Sequence, residues 1–216
     1  MIFTPSEYYL LSELVFQDWY PGYRKNVVES PNGDGNWDTE KRYAHVAHKY
    51  LKKNWWGNYN EVEELMLEYF NIGMTNALRV AVELGVPKAF WPDHRYSALR
   101  ILEYPPGSVS HKHTDFDLFT LMCYRNIPEL FKYSEAPDNH LLKANDFNEQ
   151  IHFGEMLELI NPNYKATPHR VDADECRTQY SIIFFAIPDH KAVFPSGINV
   201  GDWLDERMSR SRSETA

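Results

Sequence analysis

Cysteine is nearly missing from this chain: Cys123 and Cys176 are the only two in 216 residues. Two thiols cannot build a disulfide scaffold or a zinc knuckle. Both fall in segments that read as strands, where a buried, inert thiol is the expected state, and a reducing, cytoplasmic compartment is expected with them. No run approaches the length of an apolar membrane-spanning helix. The opening "MIFTPSEYYLLSELVFQDWY" has no basic stretch ahead of its apolar residues, so no secretion signal is read. Positive charge is scarce as well: 22 Lys and Arg face 31 Asp and Glu, for a net charge of −9. A broad surface of that sign repels phosphate backbones and anionic lipid, so neither nucleic acid nor membrane is an expected partner. There is no internal repeat, no Gly-rich phosphate loop and no Ser-His-Asp or Cys-His signature. What the chain has is apolar and aromatic substance, 43% and 15% of its residues, enough to bury a sizeable core.

The hydrophobic period changes near residue 97. Ahead of it the chain reads as mostly helical. Asn60 to Leu84 places Val62, Leu65, Met66, Tyr69, Ala77, Val80, Ala81 and Leu84 on one face at helical spacing. Asn60 with Glu63 has the form of a capping box, and Gly85 with Pro87 supplies the stop. Upstream, "ESPNGDGNWD" is turn-rich and "TEKRYAHVAHKYLKKNWW" reads as a shorter helix. From Ser97 the period falls to two. "SALRILEY", "LFTLMCY", "QIHFGEMLELI" and "TQYSIIFFAI" are strand candidates between Pro, Gly, Asn and Asp punctuation. "VGDWLDERMS" is a short helix, and "SRSRSETA" a frayed polar tail. Helices followed by many strands make an α+β, mainly β chain. A helical layer supports a sandwich or barrel, and the long helix buries its stripe on the outer face of one sheet.

The chemistry concentrates in "HKHTDFDLFTLM", residues 111–122. His113 and Asp115 are two apart, so on a strand they share a face, and imidazole with carboxylate suits a divalent transition metal. A third ligand has to come from elsewhere, and His169, after Pro168 in "YKATPHRV", is the best-placed candidate. Two histidines and a carboxylate on one face of an octahedral ion leave three positions open, the arrangement of non-haem Fe(II) oxygenases. A His-x-Asp pair arises easily by chance in a chain with nine histidines. From spacing alone, an ordinary core or surface histidine accounts for it equally well.

Six blocks, "LRILEYPP", "HTDFDLFTLM", "FGEMLELI", "YKATPHRV", "YSIIFFAIPD" and "VGDWLDERMSR", resemble, in family order, the isopenicillin N synthase-like branch of the Fe(II)/2-oxoglutarate-dependent dioxygenases. They span Ser97 to Arg210, and the long helix with "LGVPKAFW" resembles the helix that precedes that core. The order of six blocks is far more specific than any one of them. The resemblance implies a double-stranded β-helix, or jelly roll, over residues 96–210 with a C-terminal helix. A mostly helical region, 1–95, packs on it as part of one structural unit, and 211–216 form a tail. It further implies Fe(II) on His113, Asp115 and His169, 2-oxoglutarate as co-substrate, O2, and oxidation of a small molecule, by default hydroxylation. Asp117, on the same strand face, is the rival carboxylate, whereas His111 either neighbours the ligands or is solvated.

One position departs from the pattern. Members of the family that use 2-oxoglutarate carry Arg-x-Ser on the strand before the "FF" pair, and its guanidinium and hydroxyl hold the distal carboxylate. Here "RTQYSIIFF" has Ser181 but Gln179 at the arginine position. Such a replacement costs on the order of a few kcal/mol of ligand binding unless something offsets it. Three outcomes stand. Arg177, two residues earlier on the same strand face, supplies the charge; or the enzyme uses another acid or none, as an oxidase; or the jelly roll binds metal without turnover. Tyr104 in "LEYPP" resembles the family tyrosine that contacts the co-substrate. Elsewhere, His45 and His48, one helical turn apart, lack a third ligand and read as a packed or solvated pair. Trp55, Trp56 and Tyr59 read as an anchoring aromatic patch, and His94, His140, His152 and His190 as structural.

Overall fold

Three of the runs with period two become the middle of a sheet: β3 (Ala98–Tyr104), β5 (Phe119–Arg125) and β9 (Gln179–Ala186) lie in the order β3-β9-β5, each pair antiparallel. The computed structural model describes residues 2–18, 20–29, 38, 41–47, 60–127, 131–133, 151–173 and 175–211. Among them the sheet has six strands, with β1 (Tyr23–Val27) and β2 (Lys41–Ala47) added beside β3 and β7 (Ile151–Phe153) beside β5. A second sheet of three antiparallel strands has the order β4 (Val109–His113), β8 (His169–Asp172), β6 (Phe131–Tyr133). The two sheets make the double-stranded β-helix of a jelly roll, in an α+β chain.

Parity along β9 sorts the faces of the large sheet. Ile182, Phe184 and Ala186 are fully buried on the helical side. There Phe184 lies 5.6 Å from Phe70 of α2 (Asn60–Glu83), and a Cβ on Gly73 would stand 2.4 Å from the Phe184 ring. The helix comes this close only because residue 73 has no side chain. Met66, Ala77, Val80 and Ala81 complete the buried stripe that the sequence spacing predicted, and Gly85, at φ +66°, ends the helix region. A second helix, α1 (Pro5–Val15), starts at a capping box in which Thr4 and Glu7 bond reciprocally. It lays Tyr8 against Tyr180 and Tyr124, at centroid distances of 4.9 and 5.7 Å. Ser181, Ile183 and Phe185 point the other way, into a cavity.

Several segments differ from their sequence reading. Within "TEKRYAHVAHKYLKKNWW", Lys41–Ala47 is strand β2, not helix. It is bonded on both sides, to β1 and β3, and Tyr43, Ala44, Val46 and Ala47 are all buried. A strand covered on both faces no longer alternates, and its apolar spacing then imitates a helix. His45 therefore sits on a strand. "QIHFGEMLELI" splits at Gly154 into β7 and the short helix α3 (Glu155–Ile160). Cys123 is buried in β5 as expected, which raises its thiol pKa, but Cys176 is exposed on a bend rather than in a strand. The C-terminal helix, α4 (Val200–Ser211), runs into the polar stretch read as tail. His48, Trp55, Trp56, Tyr59, His140 and residues 212–216 lie outside the described residues, as do the side chains of Asn60 and Glu63. No helix among the described residues is long and apolar enough to cross a membrane.

Candidate metal centre

His113 ends β4 and His169 begins β8, and the two are register partners across that antiparallel pair. Asp115 lies beyond the strand, on the loop that follows, so the loop and not strand parity aims it. One ligand atom from each of the three lies within 4.8 Å of the others, the only such group of His, Cys, Asp and Glu among the described residues. Asp115 Oδ1 is 3.8 Å from His113 Nε2, and Oδ2 is 3.9 Å from His169 Nε2. Each imidazole is oriented through its far nitrogen. His113 Nδ1 lies 2.7 Å from the carbonyl of His111, and His169 Nδ1 lies 2.9 Å from that of Thr167. A carbonyl only accepts, so both Nδ1 atoms carry a proton, and the Nε2 atoms are the ones turned toward Asp115.

The loop is held from below by α3. The amides of Glu155 and Met156 donate to the carbonyls of Asp115 and Asp117 at 2.9 and 3.0 Å. These are first-turn helix donors with no partner inside the helix, which is why this part of the strand-like run is helical. Gly154 is required at the junction, since a Cβ there would stand 2.1 Å from the Asp117 carbonyl oxygen. Thr114 donates to Glu155 at 2.6 Å, as does Arg207 of α4, whose guanidinium also covers the Phe116 ring at 4.7 Å.

Two carboxylates two residues apart take different states. Thr120 Oγ1 lies 2.5 Å from Asp115 Oδ2 and 2.9 Å from Asp117 Oδ2. One hydroxyl has one proton, so when Thr120 donates to Asp115 it accepts from a protonated Asp117. Burial, and then the charge of Asp115, push the Asp117 carboxyl well above its usual range, which keeps that proton in place. Burial alone would raise Asp115 too, but His169, His113 and His152 hold it lowered. Burial, and then His169, push His113 down to about 4, so its ring is neutral.

His111 does not line the cavity, although alternation places it beside His113. The register slips between Ser110 and His113, so both of those residues face inward. The backbone of His111 is what matters: its amide donates to Asp38 at 2.7 Å and its carbonyl holds His113. His152, read as structural, packs on His169 with the rings tilted and their centroids 4.6 Å apart, and it lines the cavity. Its register partner Thr120 brings it there, and no local pattern marks it. His190, read the same way, stacks on Tyr96 at 3.7 Å and also lines the cavity.

The three residues stand in the wall of a cavity of about 660 Å³. Register sets the rows behind it: Tyr104 pairs with Gln179, and Leu102 with Ser181. Ser181 and Tyr104 line the cavity. Gln179 is fully buried, and neither its amide nitrogen nor its oxygen finds a hydrogen-bond partner among the described residues. Arg177 is exposed on the bend before β9 and is not among the lining residues. Because β9 begins at Gln179, strand alternation does not extend to Arg177. Cations do line the cavity, at positions to which the sequence reading gave no role. Lys41 of β2 is buried, 2.8 Å from Asp38 and 3.0 Å from Glu29. Burial alone would lower its ammonium pKa, but Tyr104, Glu29 and Asp38 hold it raised. Arg100 of β3 also lines it.

No family model matches the chain, and no curated protein matches it significantly. Solved structures match its fold. The full-length Neurospora crassa protein in complex with alpha-KG and thymine is 22% identical, with a TM-score of 0.58 over 78% of this chain and 64% of that one. JOX2 in complex with 2OG, Fe and JA is 14% identical, with a TM-score of 0.56 over 96% and 72%. The dioxygenase for auxin oxidation in rice is 15% identical, with a TM-score of 0.56 over 98% and 85%. The chain spans less than two thirds of the length of the Neurospora protein. At these identities the likeness is one of fold.

Proposed function

We propose that this chain is an Fe(II)- and 2-oxoglutarate-dependent oxygenase that oxidises a small molecule, with hydroxylation as the default outcome, in the isopenicillin N synthase-like branch of that superfamily. The observation that carries the proposal is the convergence of His113, Asp115 and His169 on one point of a cavity wall. The donor set fits the ion: two imidazoles with Nε2 turned inward and one carboxylate suit Fe(II), and they would leave coordination positions for a chelating acid and O2. Structures of the same fold hold alpha-KG in one case and 2OG with Fe in another, which supports the same co-substrate here. When bound, Fe(II) with a 2-oxo acid activates O2 for oxidation of a C–H bond.

The chain's own residues orient and exclude. Thr120 holds one oxygen of Asp115, and the carbonyls of His111 and Thr167 hold the two rings. The Ser181 hydroxyl and the Tyr104 phenol, both on the cavity wall, are the groups for the distal end of the acid, with the buried amide of Gln179 behind the wall as the register partner of Tyr104. Leu102, Met122, Ile183 and Phe185 give the cavity apolar walls that keep water from the reacting centre. A cavity of this size suits a small molecule.

Anaerobic titration of metal-free protein with Fe(II), then with 2-oxoglutarate, tests the reading by visible absorption. A new charge-transfer band on adding 2-oxoglutarate is the expected result. Iron binding with no band sinks the 2-oxoglutarate assignment. The oxidase reading that Gln179 favours would then stand if O2 were consumed, and a silent binding module if it were not.

A further inference from the structure

Four cationic side chains line the cavity, and three are committed elsewhere. Lys41 meets Asp38 and Glu29. Arg95 meets Asp93 at 2.8 Å and Asp189 at 2.6 Å. Arg24 Nη1 donates to the carbonyls of Pro21 and Tyr23 at 3.0 and 2.6 Å. Arg100 differs. Its guanidinium carbon lies 4.5 Å from the centroid of the Tyr43 ring and 4.7 Å from that of Phe185, and Nε donates to His45 Nε2 at 3.2 Å. Its two terminal nitrogens make no hydrogen bond among the described residues.

The strands explain the placement. Arg100 pairs with His45 on one side and Ile183 on the other, and is two residues from Leu102, the partner of Ser181. It therefore projects from the same face as Ser181 and Phe185. Two aromatic faces set the plane of the guanidinium without neutralising it, and the bond to His45 sets its rotation. What remains is a rigid edge of N–H donors, the geometry that matches both oxygens of a carboxylate.

We propose that Arg100 is the carboxylate-recognition residue of this cavity, gripping a ligand carboxylate through its free edge. The assignment leans on the oxygenase reading only for which carboxylate is meant. One source is the distal carboxylate of the 2-oxo acid, for which Gln179 offers no charge. The other is a carboxylate on the molecule oxidised.

Anaerobic calorimetry on the full chain, metal-free and Fe(II)-loaded, separates these with three probes: 2-oxoglutarate, 2-oxopentanoate, which lacks the distal carboxylate, and 3-phenylpropionate. Wild type is compared with Arg100→Gln and Arg100→Lys, with thermal melting as the check on folding. Arg100→Gln weakens the carboxylate that Arg100 holds by about 10–100-fold. Arg100→Lys keeps the charge without the fork, and it weakens binding about 10-fold even where the glutamine variant fails to fold. Weakened 2-oxoglutarate with unchanged 2-oxopentanoate assigns the co-substrate. Unchanged 2-oxoglutarate with loss of 3-phenylpropionate from the Fe(II)/2-oxoglutarate complex assigns the substrate. The proposal is overturned if the folded variants bind every probe as wild type does, or if wild type binds neither 2-oxoglutarate nor 3-phenylpropionate. If Fe(II) does not bind while a carboxylate still binds in an Arg100-dependent way, the oxygenase reading fails and Arg100 stands.

Discussion

Along β9, Ile182, Phe184 and Ala186 meet helix α2, whereas Ser181, Ile183 and Phe185 meet the cavity. The two sets are interleaved residue by residue and nearly equal in apolar character, yet their surroundings are opposite. On the helix side the packing is close enough that Gly73 must lack a side chain. On the cavity side, the strands leave space and turn polar groups toward it: Arg100 and the inward Nε2 atoms of His113 and His169. Close packing on one face is what lets the other stay open, because a helix-backed sheet does not collapse into the void.

The comparison can be broken by truncating one face at a time. Phe184→Ala should cost about 3–5 kcal/mol in urea unfolding, as a fully buried aromatic does, while the folded fraction binds Fe(II) as before. Phe185→Ala, which only enlarges an existing cavity, should cost roughly 1 kcal/mol or less. Equal losses would mean that the two faces are not distinct in kind. His169→Ala should reverse the pattern, leaving stability nearly unchanged while Fe(II) affinity, read by anaerobic titration, drops by about 100-fold or more.

Acid sharpens the contrast, because the cavity side holds titratable groups. In protein stripped with EDTA, burial keeps His113 and His152 neutral, with pKa values below the ordinary histidine value. Below about pH 6.5 the unfolded chain binds protons that the folded one does not. Stability therefore falls with pH through this window, until the folded value of His113 near 4 is passed. The slope is up to about 1.4 kcal/mol per pH unit for each imidazole. Asp117 acts with the opposite sign. Its folded pKa is raised, so its contribution is full below the unfolded value of about 3.9 and fades as pH rises. Asp117→Asn removes that opposing trend and should steepen the acid loss between pH 6.5 and 4 in urea titrations. An unchanged slope would mean that Asp117 is ionised in the folded protein.

Two smaller effects test the centre's edges. Thr120→Val takes the donor from Asp115 Oδ2 and should weaken Fe(II) binding about 10-fold. Arg177→Ala should leave the 2-oxoglutarate dissociation constant unchanged, since Arg177 is exposed and does not line the cavity. A clear weakening there would return the missing charge to Arg177.

Much of the fold was legible from local pattern. The stripe of α2, the alternation of β3, β5 and β9 and the terminal helix α4 were read within a residue or two of their bounds. His113, Asp115 and His169 were named from their types and from six ordered blocks, and the structure brings them together. The misses share a cause. β2 looked helical because both its faces are buried, and α3 hid in a strand-like run because its first-turn amides, Glu155 and Met156, serve the carbonyls of Asp115 and Asp117 far back in the chain. Arg100, Lys41 and His152 had no role in the sequence reading, because a lone cation or imidazole in an apolar strand reads the same whether it meets solvent or a cavity.

The sequence by itself determined periods and residue types: where the chain is helical, where it alternates, and which imidazoles and carboxylates are at hand. Those are local properties, set within a few bonds of each residue. Tertiary structure alone decided which of them meet. His113 faces His169, Thr120 faces His152 and Arg100 lies between Tyr43 and Phe185 through strand register. The slip between Ser110 and His113 changes which side chains look inward. A slip of one residue turns a side chain from one face to the other, and no local pattern records it.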